Sequence, residues 1–213
     1  MACTADVHSS IRVAARVLDV GIVEVPEDAR GHLTGEALAA TLADEPDDIF
    51  AVVASAGTTN AGLVDDLASV AVTCADHGVW LHVDGAYGGA ALAAPSVRCL
   101  FDGVELADSF IVDPHKWLFA PYDCCALLYR DPEPARAAHS QAAGYLDQID
   151  REAGNPSDLA IHMSRRARAA VLVQPCYPRH RPLRRGHRAD ARDNAHGGRG
   201  DTGLRPPGPR LRA

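Results

Sequence analysis

Short apolar runs closed by turn-forming residues alternate along this chain with stretches in which apolar side chains recur every three or four positions. Ile49–Ala54, Val79–Val83 and Ser109–Val112 belong to the first kind, and each reads as a brief buried strand. Thr34–Ala43 and Asp65–His77 belong to the second. Thr34 is placed to cap the first of these helices with Glu36 soon after it, and Gly78 ends the second. Strand and helix in alternation predict an α/β fold with a mostly parallel sheet and flanking helices. In such folds binding sites gather outside the carboxyl ends of the strands.

Composition agrees with a globular chain: of 213 residues, 47% are apolar and 23% charged. No apolar run approaches the length that a membrane-spanning helix needs. Asp6 stands where a secretory leader would carry positive charge, so a cytoplasmic location without membrane association is expected. The six cysteines, Cys3, Cys74, Cys99, Cys124, Cys125 and Cys176, show no Cys-x-x-Cys spacing, and no histidine stands in a His-Glu-x-x-His arrangement or near a cysteine pair at ligand spacing, so neither disulfide framework nor metal is expected.

Charge divides the chain. Residues 1–163 carry eight basic and 25 acidic side chains, whereas residues 164–213 carry thirteen arginines and three aspartates. The stretch 169–213 is rich in Arg, Pro and Gly, loses apolar periodicity after Val173 and cannot build a core. It reads as a disordered basic tail or as an out-of-frame translation, since Arg, Pro, Gly and Ala share GC-rich codons. It holds no lysine, phenylalanine or tryptophan, unlike a nucleic-acid arm that mixes Lys with Arg and interleaves stacking aromatics, and no nucleic-acid partner is expected.

The three strand candidates run into Ser55-Ala-Gly-Thr-Thr-Asn-Ala-Gly, Asp84-Gly-Ala-Tyr-Gly-Gly and Asp113-Pro-His-Lys-Trp. Lys116 is the only lysine, bracketed by Phe110–Val112 and Trp117–Phe119. Apolar burial disfavours an ammonium and frees the neutral amine as a nucleophile toward an aldehyde; a lysine snorkelling at a strand end is the plainer alternative. Asp84, 32 residues upstream, could share a crevice with it and hold a pyridine nitrogen protonated, or could simply open an Asp-Gly turn.

Taken together, His8-Ser-Ser, Ala54–Gly62, Trp80–Gly89, Ala107-Asp-Ser-Phe and Asp113–Cys125 resemble, in order, blocks of the group II pyridoxal-phosphate-dependent amino acid decarboxylases, over roughly residues 5–168. The resemblance implies a partial large domain of the aspartate aminotransferase-like fold of pyridoxal-phosphate enzymes, spanning residues 1–168. It implies a chain that decarboxylates an L-amino acid to an amine and carbon dioxide, with aromatic amino acids preferred and glutamate or diaminobutyrate open. It further implies that Lys116 carries the cofactor aldehyde as a Schiff base and that Asp84 pairs with the ring nitrogen. His8 and Ala86 would lie on opposite ring faces, Thr59 near the ring hydroxyl or the substrate carboxylate, and His115 near the phosphate. Tyr145 would return a proton after carbon dioxide leaves, from a closing loop; it reads also as an ordinary loop tyrosine, and His8 as a residue that opens a helix. Asp113 is left out of the set, because an anion beside a phosphate repels it.

Relatives form homodimers and extend beyond this stretch at both ends, so the chain is expected to be a fragment. A non-catalytic remnant that at most binds the cofactor or a partner subunit is the alternative. Another pyridoxal-phosphate enzyme type, an aminotransferase or desulfurase, fits the His115-Lys116-Trp117 block less well.

Overall fold

The computed structural model describes residues 1–44, 49–140 and 156–161. The tail from residue 169 and Tyr145 therefore lie outside the described residues. Within them, six strands form one sheet: β1 (Ala2–Cys3), β2 (Val23–Glu24), β3 (Ala51–Ser55), β4 (Trp80–Asp84), β5 (Ser109–Val112) and β6 (Ala126–Tyr129), in the order β2-β1-β3-β4-β5-β6. Every pairing is parallel except β5 with β6. The helices are α1 (Ser9–Leu18), α2 (Gly35–Asp44), α3 (Leu67–His77) and α4 (Glu133–His139). None is long and apolar enough to cross a membrane.

The fold follows from where apolar side chains can be hidden. All five residues of β3 are buried, as a central strand with cover on both faces requires. Val52 and Ala54 join Leu38 and Leu42 of α2, Leu67 and Val70 of α3, and Leu81 and Val83 of β4 in the main core. Val53, pointing the other way, packs with Cys3 and Val7 against Ile11 of α1. The two helical layers thus flank opposite faces of the sheet.

Helix ends are set locally. Thr34 Oγ1 accepts the Ala37 N–H at 3.3 Å, and Asp66 accepts that of Ser69 at 3.2 Å. Gly78, at φ +67°, closes α3 in the left-handed region. Asp65, expected inside α3, precedes it and serves another purpose described below.

Candidate active site

Parallel pairing in register brings the ends of β3, β4 and β5 to one edge: Ser55 lies opposite Asp84, and Asp84 opposite Ile111. The ladder continues one step beyond, through Ala56 N–H to Asp84 O at 2.8 Å and Gly85 N–H to Ile111 O at 3.0 Å. The loops that follow β3 and β4 then touch. A Cβ on Gly57 would stand 2.6 Å from Gly88 Cα, and one on Gly88 would stand 2.4 Å from the Ala56 carbonyl, so only glycines allow this approach.

Between these loops, the start of α1 and the turn after β5 lies a cleft of about 290 Å³. His8, Thr59, Asp84, Ala86 and Lys116 all line it. Of the residues singled out from the sequence and described here, His115 alone does not. Its Nδ1 lies 2.6 Å from the Cys124 carbonyl and 3.1 Å from the Cys124 N–H, donating to one or accepting from the other according to tautomer. Its ring meets Tyr122 edge-on at 4.9 Å. His115 thus ties the turn after β5 to the segment leading into β6.

Asp84 accepts the Ala86 N–H through Oδ1 at 3.0 Å, which is the turn expected of Asp-Gly, while the residue still faces the cleft. His8 likewise fills both of its readings. It caps α1, its Nδ1 accepting the Ser10 N–H at 3.3 Å, and it lines the cleft.

Lys116 differs from expectation. Its side chain is 33% exposed, and Nζ pairs with Asp113 Oδ2 at 3.0 Å instead of sitting among apolar groups. Of the apolar residues beside it in sequence, Phe119 is 61% exposed and the Trp117 ring packs edge-on against Tyr87 at 5.2 Å, while Ile111 shares the cleft with it. Sequence neighbours in a turn need not enclose one another, so the apolar flanks left Lys116 a third exposed.

Three residues of the site escaped the sequence reading. Asp113, set aside there, lines the cleft and holds Lys116. His82 lies two residues before Asp84 on the same strand face and so also reaches the cleft; the period-2 pattern of β4 carried that signal. Its Nδ1 sits 2.8 Å from Ser109 Oγ, which in turn accepts from Trp80 Nε1 at 2.9 Å. Burial pushes the His82 imidazole below its ordinary value, against the opposing pull of the Asp84 charge.

Asp65 is the third. It is 4% exposed, and its two oxygens accept the Leu33 N–H at 2.8 Å and the Ser55 N–H at 2.6 Å. Burial pushes its carboxyl up to about 6, although both N–H groups favour the charged form. This strap pins the end of β3, where Ser55 forms part of the cleft wall. Nothing local in the sequence separates it from a helix-capping aspartate.

The donor set suits pyridoxal phosphate: an amine for its aldehyde and a carboxylate for its ring nitrogen open on one cleft, with small Ala86 leaving room for a flat ring. Residues 1–174 match the family described as pyridoxal-dependent decarboxylase conserved domain. The chain is 35% identical over 171 residues to the aromatic-L-amino-acid decarboxylase of Mus musculus, covering 78% of this chain and 36% of that one. With the Bacillus atrophaeus protein of the same name it shares 39% over 123 residues, 56% of this chain and 26% of that one. Among solved structures, Oryza sativa TDC with PLP and tryptamine superposes with a TM-score of 0.80 at 29% identity, covering 89% of this chain and 41% of that one. Mouse CSAD in apo form gives 0.77 at 32%, covering 86% and 40%. The chain thus spans about a third or less of the length of these curated relatives.

Proposed function

Because the chain belongs to the pyridoxal-dependent decarboxylase family, whose cofactor is pyridoxal phosphate, we propose that its cleft holds that cofactor and serves the decarboxylation of an L-amino acid, an aromatic one by preference, to an amine and carbon dioxide. One observation carries the reading: Asp84 and Lys116, on neighbouring strand ends, open on the same cleft. The aromatic preference rests on the names of relatives such as the Mus musculus and Bacillus atrophaeus proteins.

Bound there, pyridoxal phosphate supplies an aldehyde that condenses with amines and a ring that accepts the electron pair left when a carboxylate departs as carbon dioxide. Lys116 Nζ anchors it. The Asp84 carboxylate would pair with the ring nitrogen and favour its protonated form. His8 and Ala86, which line the cleft, would confine the ring, and Thr59 would orient its hydroxyl or the substrate carboxylate. His82 is held by Ser109 beside Asp84 on the same strand face, and its burial disfavours the charged imidazole there. Tyr145, outside the described residues, is the proposed proton donor once water is excluded, and His115 the proposed neighbour of the phosphate.

Purified chain mixed with pyridoxal phosphate should turn yellow, and borohydride should fix the label on Lys116. Lys116→Ala should abolish that label entirely. A label that survives the substitution, or none on the native chain, refutes the cofactor reading. A labelled chain that releases no carbon dioxide from aromatic amino acids would favour the non-catalytic reading.

A further inference from the structure

Trp80, His82 and Asp84 share one face of β4, and Ser109 of β5 stands opposite His82 in the parallel register. The Ser109 hydroxyl, on a residue 5% exposed, therefore meets two side chains, Trp80 Nε1 at 2.9 Å and His82 Nδ1 at 2.8 Å. An indole N–H can only donate, so Ser109 Oγ accepts from Trp80. One hydroxyl proton is left, and among the described residues the acceptor it has is Nδ1 of His82. A proton on Nδ1 would reverse that contact and leave the buried hydroxyl proton with no acceptor, an arrangement that folded chains avoid. All three groups are satisfied when Nδ1 is bare and the neutral ring carries its proton on Nε2. Burial disfavours the charged imidazole, against the opposing pull of Asp84, so the neutral ring is the form to be placed.

Nε2 is the unused end of the ring. Among the described residues the only sealed side-chain nitrogen or oxygen without a hydrogen-bond partner is Arg136 Nε, so Nε2 of His82, which also has none, is open to solvent. The open space that His82 lines is the cleft. We propose that Trp80 and Ser109 fix the tautomer of His82 so that it presents an Nε2–H donor to the cleft, where it binds an oxygen of the cofactor, either the ring hydroxyl or the phosphate. The ligand half of this assignment rests on the cofactor reading above; the tautomer does not. A donor held in one tautomer discriminates, because it rewards an oxygen lone pair and offers nothing to an ammonium. His82 shares its strand face with Asp84, the group assigned to the ring nitrogen, so the cofactor is what both meet. Ser109 and Trp80 touch no ligand and are positioning residues, acting through the imidazole they orient.

The test reads the ring nitrogens of His82 by NMR in the full chain carrying isotope-labelled histidine, at about pH 8, where an ordinary imidazole is neutral. His82→Gln identifies the signal. In the free chain Nε2 should carry the proton and Nδ1 none; a proton on Nδ1, or both tautomers in comparable amounts, overturns the proposal. Added pyridoxal phosphate should move the Nε2–H proton signal downfield, as a new hydrogen bond does, while Lys116 takes up the borohydride-fixed label in parallel. The same movement with pyridoxal, which lacks the phosphate, assigns the ring hydroxyl as acceptor, and movement with pyridoxal phosphate alone assigns the phosphate.

Affinity supplies the second readout. His82→Leu should bind pyridoxal phosphate roughly five to ten times more weakly, the worth of about one neutral hydrogen bond. His82→Gln, which keeps an N–H near the Nε2 position, should stay within about threefold of the native chain. Equal losses in the two variants, or no loss in His82→Leu, overturn the proposal. Circular dichroism establishes that each variant is folded; should His82→Leu fail, the signals of the native chain decide by themselves. A labelled chain whose Nε2–H signal stays in place overturns the contact and leaves the cofactor reading standing. Absence of the label on native Lys116 brings down the cofactor reading and the contact with it.

Discussion

Where β3 and β4 end, the cleft stands on residues that solvent does not reach: Val52, Ala54 and Val83 are wholly buried and Leu81 is 1% exposed. On the β5–β6 side, Leu127, Leu128, Phe119 and Tyr122 are between 42% and 85% exposed. The floor holds Asp84 by packing and by a full parallel ladder. The rim holds Lys116 by a few directed contacts instead: the Asp113 ion pair, the His115–Cys124 hydrogen bond and the Trp117–Tyr87 ring contact. The contrast teaches that the two groups on which the proposed chemistry depends are secured by different physics. The strand that carries the carboxylate is fixed by burial, which is non-directional and strong in sum, and the Ala86 N–H orients the half-buried side chain itself. The amine is fixed by polar geometry that a single substitution can release.

Substitutions graded by size test that contrast. Leu81→Ala empties a site in the middle of the floor and should cost about 2–5 kcal/mol in urea unfolding; a loss below about 1 kcal/mol would show that the floor is not the rigid part.

Asp65→Asn should come next, at about 1–3 kcal/mol, since an amide cannot accept both the Leu33 and Ser55 N–H groups. Its effect carries a pH signature. The folded-state carboxyl of Asp65 sits at about 6 against an ordinary 3.8. The raised value makes its contribution fully present below the ordinary value and progressively lost as pH rises through about 6. Between pH 5 and pH 7.5 the native chain should therefore lose about 1 kcal/mol more stability than Asp65→Asn does. Parallel stability curves would mean that this carboxyl is not held as described.

Smallest of all, Leu128→Ser on the exposed rim should change unfolding by less than about 0.5 kcal/mol. A loss comparable to that of Leu81→Ala would erase the distinction between floor and rim.

Much of the floor was legible beforehand. The strands at Ala51–Ser55, Trp80–Asp84 and Ser109–Val112 and the helix ending at Gly78 follow from period and punctuation, because buried central strands are nearly all apolar and glycine stops a helix by its own backbone freedom. The two-residue strands β1 and β2 carry too little pattern to announce themselves. The β6 run Ala126–Tyr129 gave no alternation, since its leucines stay exposed. Helix α1 was visible only as a possibility behind His8, which proved to be its cap.

Alone, the chain of letters specified an α/β alternation, the chemical identities of Lys116 and Asp84, and their places at strand ends, because strand period, helix period and turn residues are all local properties. Tertiary structure decided the rest. It set Asp113 against Lys116, turned His115 toward Cys124, brought His82 to the cleft, and made a buried strap of Asp65 from what reads as a helix-capping residue. Each of those outcomes depends on which distant segments are packed together, and the energy that selects them belongs to the assembled sheet rather than to any window of the sequence.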